Sequence, residues 1–351
     1  MRLGSLMRRA TVVAIAAGVT SLALVLGGCG GGGNDASPAI EDAAQEEVNL
    51  AVLMASLGDG YTRNLNQAIQ QEAQTMGATV QTFNATFDPQ KQLQQCQDAI
   101  VTKRFDAFII QPVAGPSMVP CAQQAIEAGI HVVAVSNPIG PEIDTTEPQV
   151  EGLTATILES PGTMGRTLAE LTVDACESND PCKVIYMFGP PEFSFAANSR
   201  AAFNAALVDH PTIEVVAQGS HYFVPDKARS LTQQLLVAHP DVNVITSDDD
   251  PSAAALLDVV KERGLEDQIA VIGGAGAREG AELVATGEMF GSAVLVPRTA
   301  GEKAAEIAIK VARGEDPGET EFNNAEDLSP IGAKLTEENI SDFEAEWSVG
   351  D

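Results

Sequence analysis

From Val48 onward, apolar residues along the chain alternate between two patterns. Short continuous runs such as Leu50-Ala51-Val52-Leu53-Met54 suit parallel strands buried on both faces. Runs of this kind predict strands at Val48–Ala55, Thr79–Phe83, Asp106–Ile110, His131–Val135, Lys183–Met187, Ile213–Ala217, Val242–Thr246, Ile269–Ile272 and Phe290–Leu295. Between them apolar positions step by three or four. Leu65, Ile69 and Met76 form one such face, and Leu231, Leu235 and Ala238 form another before His239-Pro240 ends the helix. A β-α unit repeating every ~25 residues predicts a doubly wound parallel α/β architecture. Nine strands are too many for one small core, so the pattern predicts two Rossmann-like lobes with a cleft between them. The helix-poor stretch from Pro138-Ile139-Gly140-Pro141 to Pro148 reads as the boundary, with the second half opening on a helix around Met164–Ala175.

One longer apolar run precedes this repeat. Arg2, Arg8 and Arg9 are followed by an apolar stretch from Ala10 to Leu26, then Gly27-Gly28-Cys29, glycines 30 to 33 and a polar, acidic segment to Glu47. Positive charge, apolar core and small residues in that order read as an export signal and not a spanning helix. The tetrad Leu26-Gly27-Gly28-Cys29 resembles a bacterial lipobox. That resemblance implies a signal peptide over residues 1–28, cleavage before Cys29, a diacylglycerol on its thiol and a flexible lipidated linker over 29–47. The alternative is an ordinary signal peptide with an incidental cysteine. Export makes disulfides possible among Cys96, Cys121, Cys176 and Cys182. Cys176 and Cys182 flank a short polar turn and could close a small loop; Cys96 and Cys121 sit in successive helical segments and could staple them. Three pairings are formally possible, and four buried thiols are the alternative. Neither the cysteine spacings nor His131, His210, His221 and His239 form a metal-ligand cluster, so no metal and no cofactor is expected.

Composition narrows the function classes. The 351 residues are 44% apolar and 20% charged, a globular composition of about two domains. Lys and Arg total 20 against 49 Asp and Glu, a net charge of −29. Such an excess repels phosphate backbones and anionic lipid surfaces, which excludes nucleic-acid binding. With a single long apolar run, a polytopic membrane protein is excluded too.

In doubly wound sheets ligands bind beyond the carboxyl ends of the strands. The residues there are Gly58-Asp59-Gly60-Tyr61, Gln111-Pro112, Ser136-Asn137, Phe188-Gly189-Pro190 leading to Phe193, Phe195 and Asn198, then Tyr222-Phe223, Ser247-Asp248-Asp249-Asp250, Gly273-Gly274-Ala275-Gly276 and Val296-Pro297. Planar aromatics and short polar acceptors recur, a combination that holds a small polar molecule with an apolar face. Taken singly, each aromatic also fits core filling. Within the acidic run, Asp250 before Pro251 fits a helix cap, leaving Asp248 for ligand; a calcium loop is the alternative, though EF-hand spacing is absent. Enzyme signals are poor. Gly274-Ala275-Gly276 with Gly280 misses the dinucleotide spacing, no G-x-S-x-G or HExxH is present, and an Asp59–Asp248 acid–base pair is supported by nothing beyond its two carboxylates.

These residues bring the chain close to a known family. From Val48 to about Glu346 it resembles the type 1 periplasmic binding proteins, the ribose- and galactose-binding group of ABC-transporter receptors. The carrying segments are VNLAVLMASLGDGYTRNLNQAIQQEAQTMGATV, FDAFIIQPV, AGIHVVAVSNP, LLVAHPDVNVITSDDDPSAAALLDVVKERG and IAVIGGAGAREGAELVATGEMFGSAVLVP. The resemblance implies lobes of 48–159 with 297–324 and of 160–296 with 325–351, joined by crossovers near Glu159, Leu295 and Asn324. It also implies a monomeric receptor that closes on its ligand and meets an ABC permease, or alternatively a sensor for a membrane signalling partner. The fold is shared with sugar-responsive repressors, but those carry a DNA-binding helix pair where this chain has its export signal. By the same resemblance Asp59, Tyr61, Phe223 and Asp248 are ligand-binding. Ser136-Asn137 replace a charged pair, and Asn198 lies near a family arginine. Ala275 and Leu295 replace polar positions, so the expected ligand is a deoxy-sugar, polyol, nucleoside or amine in preference to a plain aldose.

Overall fold

The apolar runs become strands β1 (Asn49–Met54), β2 (Thr79–Asn84), β3 (Ala107–Ile110) and β4 (His131–Ser136) in a computed structural model that describes residues 47–350 except Glu192. The export signal, the tether and Cys29 lie outside the described residues. Helices α1 (Gly60–Thr75), α2 (Pro89–Thr102) and α3 (Gly115–Glu127) connect these strands. The stretch read as a boundary, 138–148, does not end the first sheet. The chain continues into β5 (Ala155–Leu158), which pairs in parallel with β4. At four residues, β5 is too short to register as a periodic run.

After β5 the chain builds a second unit: α4 (Pro161–Ala175), β6 (Cys182–Phe188), α5 (Ser194–Ala206), β7 (Ile213–Ser220), α6 (Pro225–Ala238), β8 (Val244–Ser247), α7 (Asp250–Glu262), β9 (Ala270–Gly273), α8 (Arg278–Ala285) and β10 (Gly291–Ala293). It then returns as α9 (Pro297–Ala312), which packs on α1 and on the first sheet, adds β11 (Glu321–Asn323) beside β5, and crosses again to β12 (Lys334–Leu335). The strand orders are β11-β5-β4-β3-β1-β2 and β12-β10-β9-β8-β6-β7, parallel throughout except where β12 runs against β10. Both sheets therefore have the doubly wound order, and three segments pass between the lobes.

Each sheet is covered on both faces, which explains its unbroken apolar strands. Leu50, Val52 and Met54 face α1 and α9, while Ala51 and Leu53 face α2 and α3. In the second lobe Ile185 and Met187 face α6 and α7, while Val184 and Tyr186 face α4 and α5. Cys96 on α2 is bonded to Cys121 on α3, and Cys176 after α4 to Cys182 at the start of β6.

One sequence expectation is overturned here. Asp249, and not Asp250, caps α7: its backbone is extended and its carboxylate accepts from Ser252 N at 3.0 Å. Asp250 is the first helical residue and is fully buried, accepting from Ala277 N at 2.7 Å and Ser292 Oγ at 2.7 Å. Pro251 is thus the second helical position, equally free of a lost hydrogen bond. Gly273 and Gly280 make room for this carboxylate, since a Cβ on either would sit 2.0 or 2.2 Å from it.

Candidate ligand cleft

The carboxyl ends of both sheets carry the polar and aromatic groups that a solute would meet. In the first lobe, β1 leads into α1 through Asp59. The Asp59 side chain caps the helix by accepting from Thr62 N at 2.8 Å. The cap fixes the next turn, which aims the Tyr61 hydroxyl at Glu159 just past β5, where it donates to Oε1. Ser136, at the end of β4 in a left-handed backbone (φ 62°), adjoins this pair, and its buried Oγ completes no hydrogen bond of its own. Burial raises the pKa of Glu159, an effect that the Tyr61 hydroxyl and Ser136 oppose and the Asp59 charge reinforces. Burial, then the Glu159 charge, pushes Tyr61 well above the ordinary phenol range. Both therefore favour their protonated forms relative to water.

Neighbouring loops are held by side chains from the helices. Gln92 of α2 is fully buried and donates to Gln111 O at 2.7 Å, while its own Oε1 accepts from Val113 N at 2.8 Å. Gln111 stays buried with Oε1 unpartnered. Asn137 donates to Pro112 O at 3.2 Å.

The second lobe is organised around His221. This fully buried ring accepts at Nδ1 from Phe223 N at 3.0 Å, so when neutral it carries its proton on Nε2. Nε2 faces Ser247 Oγ and Asp248 Oδ1, each at 3.2 Å. The contact holds Tyr222 and Phe223 in successive left-handed conformations (φ 57° and 55°) and lays the Phe223 ring over Gly189. Phe193 meets Phe223 edge-on at 6.2 Å. Asp248 Oδ2 accepts from Gly189 N at 3.0 Å, and its buried Oδ1 is left to the His221 contact.

The structure thus joins Tyr61 and Ser136 in one group and Phe223 and Asp248 in another. Asp59 serves α1 as its cap and is exposed, which argues against an acid–base pairing with Asp248. Asn198 is exposed on α5, its amide bonded to Ser194 O one turn back. Arg200 on the same helix lies 4.5 Å from the centre of the Phe188 ring. Sequence reading missed Glu159, His221 and Phe87. Phe87 was legible by symmetry: Thr86-Phe87 follow edge strand β2 in left-handed backbone (φ 56° and 58°), as Tyr222-Phe223 follow edge strand β7. Each pair precedes a helix with Pro in its first turn. Phe87, Tyr222 and Phe223 are 59%, 41% and 41% exposed, so three large rings at strand carboxyl ends remain available for burial.

Two doubly wound lobes joined by three crossing segments, with aromatic rings and open acceptors at the strand ends, define a two-lobed solute-binding protein. The model of the periplasmic binding protein domain family matches residues 50–316, and the chain belongs to that family, in its type 1, ribose/galactose-like branch. It is similar to the ribose import binding protein of Salmonella typhimurium, 24% identical over 272 residues that cover 78% of this chain and 87% of the relative. Among solved structures it resembles an ABC transporter solute-binding protein from Mycobacterium smegmatis with bound glycerol (25% identity, TM-score 0.69, covering 86% of this chain and 99% of that one). It also resembles one from Actinobacillus succinogenes with bound D-allose (21% identity, TM-score 0.71, covering 85% and 100%). Membership makes the chain an extracytoplasmic solute-binding protein, a binder and not an enzyme.

Proposed function

We propose that this chain is the lipid-anchored receptor of an ABC importer, taking a small sugar-like or polyol-like ligand between its lobes by hinge closure. The observation that carries the reading is unmet bonding capacity at the strand carboxyl ends. Gln111 Oε1 is a buried acceptor without a partner, Asp248 Oδ1 has only the His221 ring at 3.2 Å, and exposed Phe87, Tyr222 and Phe223 share those ends. Buried polar atoms normally find partners. A polyhydroxy ligand supplies hydroxyls to such acceptors and C–H faces to such rings.

The ligand is expected to carry an apolar edge. Ala275 and Leu295 both pack with the second lobe's apolar cluster and offer no side-chain hydrogen bond. A hydrogen bond to a charged group contributes about 1.5–3 kcal/mol, so lacking one weakens a fully hydroxylated aldose by about one to two decades. The ligand-binding set is Asp59, Tyr61, Ser136, Asn137, Asn198, Phe223 and Asp248, with the lobes divided at 159/160, 296/297 and 324/325. Cys29 carries the lipid, the receptor is a monomer, and its protein partner is a membrane permease. The test is a thermal-shift screen against D-ribose, D-allose, myo-inositol, glycerol, deoxy-sugars, nucleosides and amines. A ligand at a hundred times its Kd adds about 2.7 kcal/mol. The shift should be absent in Asp248→Ala and Phe223→Ala. Tight binding of plain ribose would refute the apolar-edge reading, and a shift that survives both substitutions would refute the site.

A further inference from the structure

Residues beyond β12 return to the strand carboxyl ends, at the starts of α1, α8 and α9, and bond to the two lobes in alternation. Phe343 and Ala345 pack in the second lobe's apolar cluster. Glu346 then reaches α9, which packs on the first lobe. Its carboxylate accepts from Arg298 N at 2.7 Å, Thr299 N at 3.0 Å and the Thr299 hydroxyl. Trp347 turns back to the second lobe, donating from Nε1 to Ala275 O at 2.8 Å and accepting at its carbonyl from Arg278 N at 2.9 Å. The same indole stands edge-on to Tyr61 of the first lobe, 5.8 Å between ring centres. Ser348 lies against Gly60 so closely that a Cβ there would sit 1.9 Å from its carbonyl oxygen. Val349 donates to Glu279 Oε1 at 3.1 Å on the second lobe and accepts from Arg63 on the first.

Two helices depend on this segment for their ends. Neither α8 nor α9 has a side-chain cap from its own N-cap residue, Ala277 or Val296. The Trp347 carbonyl serves the first amide of α8, and the Glu346 carboxylate serves the first two of α9, where negative charge also suits the helix dipole. Separating the lobes must leave one of these ends bare or strip the segment from α1.

We propose that Glu346–Val349 is an interlobe latch that sets how easily the cleft opens, with Trp347 as its wedge between Tyr61 and Ala275. This goes beyond the transport reading and holds whatever the ligand is. The chain's single tryptophan is the latch residue itself, so its fluorescence reports the latch directly. In ligand-free protein the indole should emit as a buried group and resist acrylamide. Gly60→Ala, which displaces Ser348 from α1, and Glu346→Ala, which uncaps α9, act at opposite ends of the contact. Each should shift emission to the red, raise acrylamide quenching and increase the radius of gyration by solution X-ray scattering. For Glu346→Ala the open fraction should rise about tenfold, the scale of one lost helix cap. Freely quenched tryptophan in the unmodified protein overturns the proposal. So does an unchanged emission and radius in both variants, judged on samples with cooperative melting.

Discussion

Replacing Tyr61 with Phe isolates the pair at the first crossover. The substitution keeps the ring against the second lobe's apolar cluster and removes only the hydroxyl that donates to Glu159. Glu159 is 9% exposed, and the Tyr61 hydroxyl and the neighbouring Ser136 are the groups that favour its charged form, the hydroxyl more strongly. A hydrogen bond to a charged group contributes about 1.5–3 kcal/mol, and a buried acceptor left bare loses at least that range's lower end. The loss must depend on pH. Burial raises the Glu159 pKa in the folded state, so its contribution to stability is full below the unfolded carboxyl value and is lost as pH rises through the folded one. The Tyr61 hydroxyl favours the charged form; without it the folded value climbs further and the loss at neutral pH deepens. Urea titration of both proteins at about pH 5 and about pH 8 is the assay, with stability extrapolated to water. The expected difference is about 2 kcal/mol at the higher pH and clearly less at the lower one. An equal loss at both values would refute the account, because it would show that Glu159 ionisation plays no part.

Asp250 makes a second pH-linked test. Burial pushes its carboxyl well above the ordinary range, so its share of stability is present below the unfolded pKa and disappears as pH rises through the folded value. Asp250→Asn should flatten the decline in stability between mildly acid and neutral pH, followed by calorimetry; a decline as steep as in the unmodified protein would contradict it. For the disulfides, the Cys96–Cys121 bond spans 25 residues and the Cys176–Cys182 bond spans 6. Loop-closure entropy assigns about 3.5 kcal/mol to the longer and about 2 to the shorter, so Cys96→Ala with Cys121→Ala should lower the urea midpoint more than removal of the other pair.

Charge pairs on the helix surfaces add little to the packing of the lobes. Glu306 lies between Lys303 at 2.8 Å and Lys310 at 2.6 Å on α9, and hydrogen bonds from these two lysines lower its pKa. On an exposed helix face such pairs contribute a few tenths of a kcal/mol each, so the apolar layers under α9 hold it to the first sheet.

The hydrophobic pattern alone determined the α/β class, the nine strands it could see and the existence of two sheets. A strand buried on both faces has to be apolar throughout, and that signal is local. It also located the carboxyl-end loops from which Tyr61, Ser136, Phe223 and Asp248 project, since those follow directly from the strand ends. What it missed depends on contacts between distant segments. β5, β11 and β12 are two to four residues long and exist because partners hold them. The choice of Asp249 over Asp250 as cap turns on a pocket made by Gly273, Gly280 and Ser292, residues more than twenty positions away. Glu159 and His221 carry no motif; only folding places one under Tyr61 and the other under Phe223. The segment at Glu346–Val349 has no periodicity at all, because its bonding partners lie on α1, α8 and α9 and not on itself.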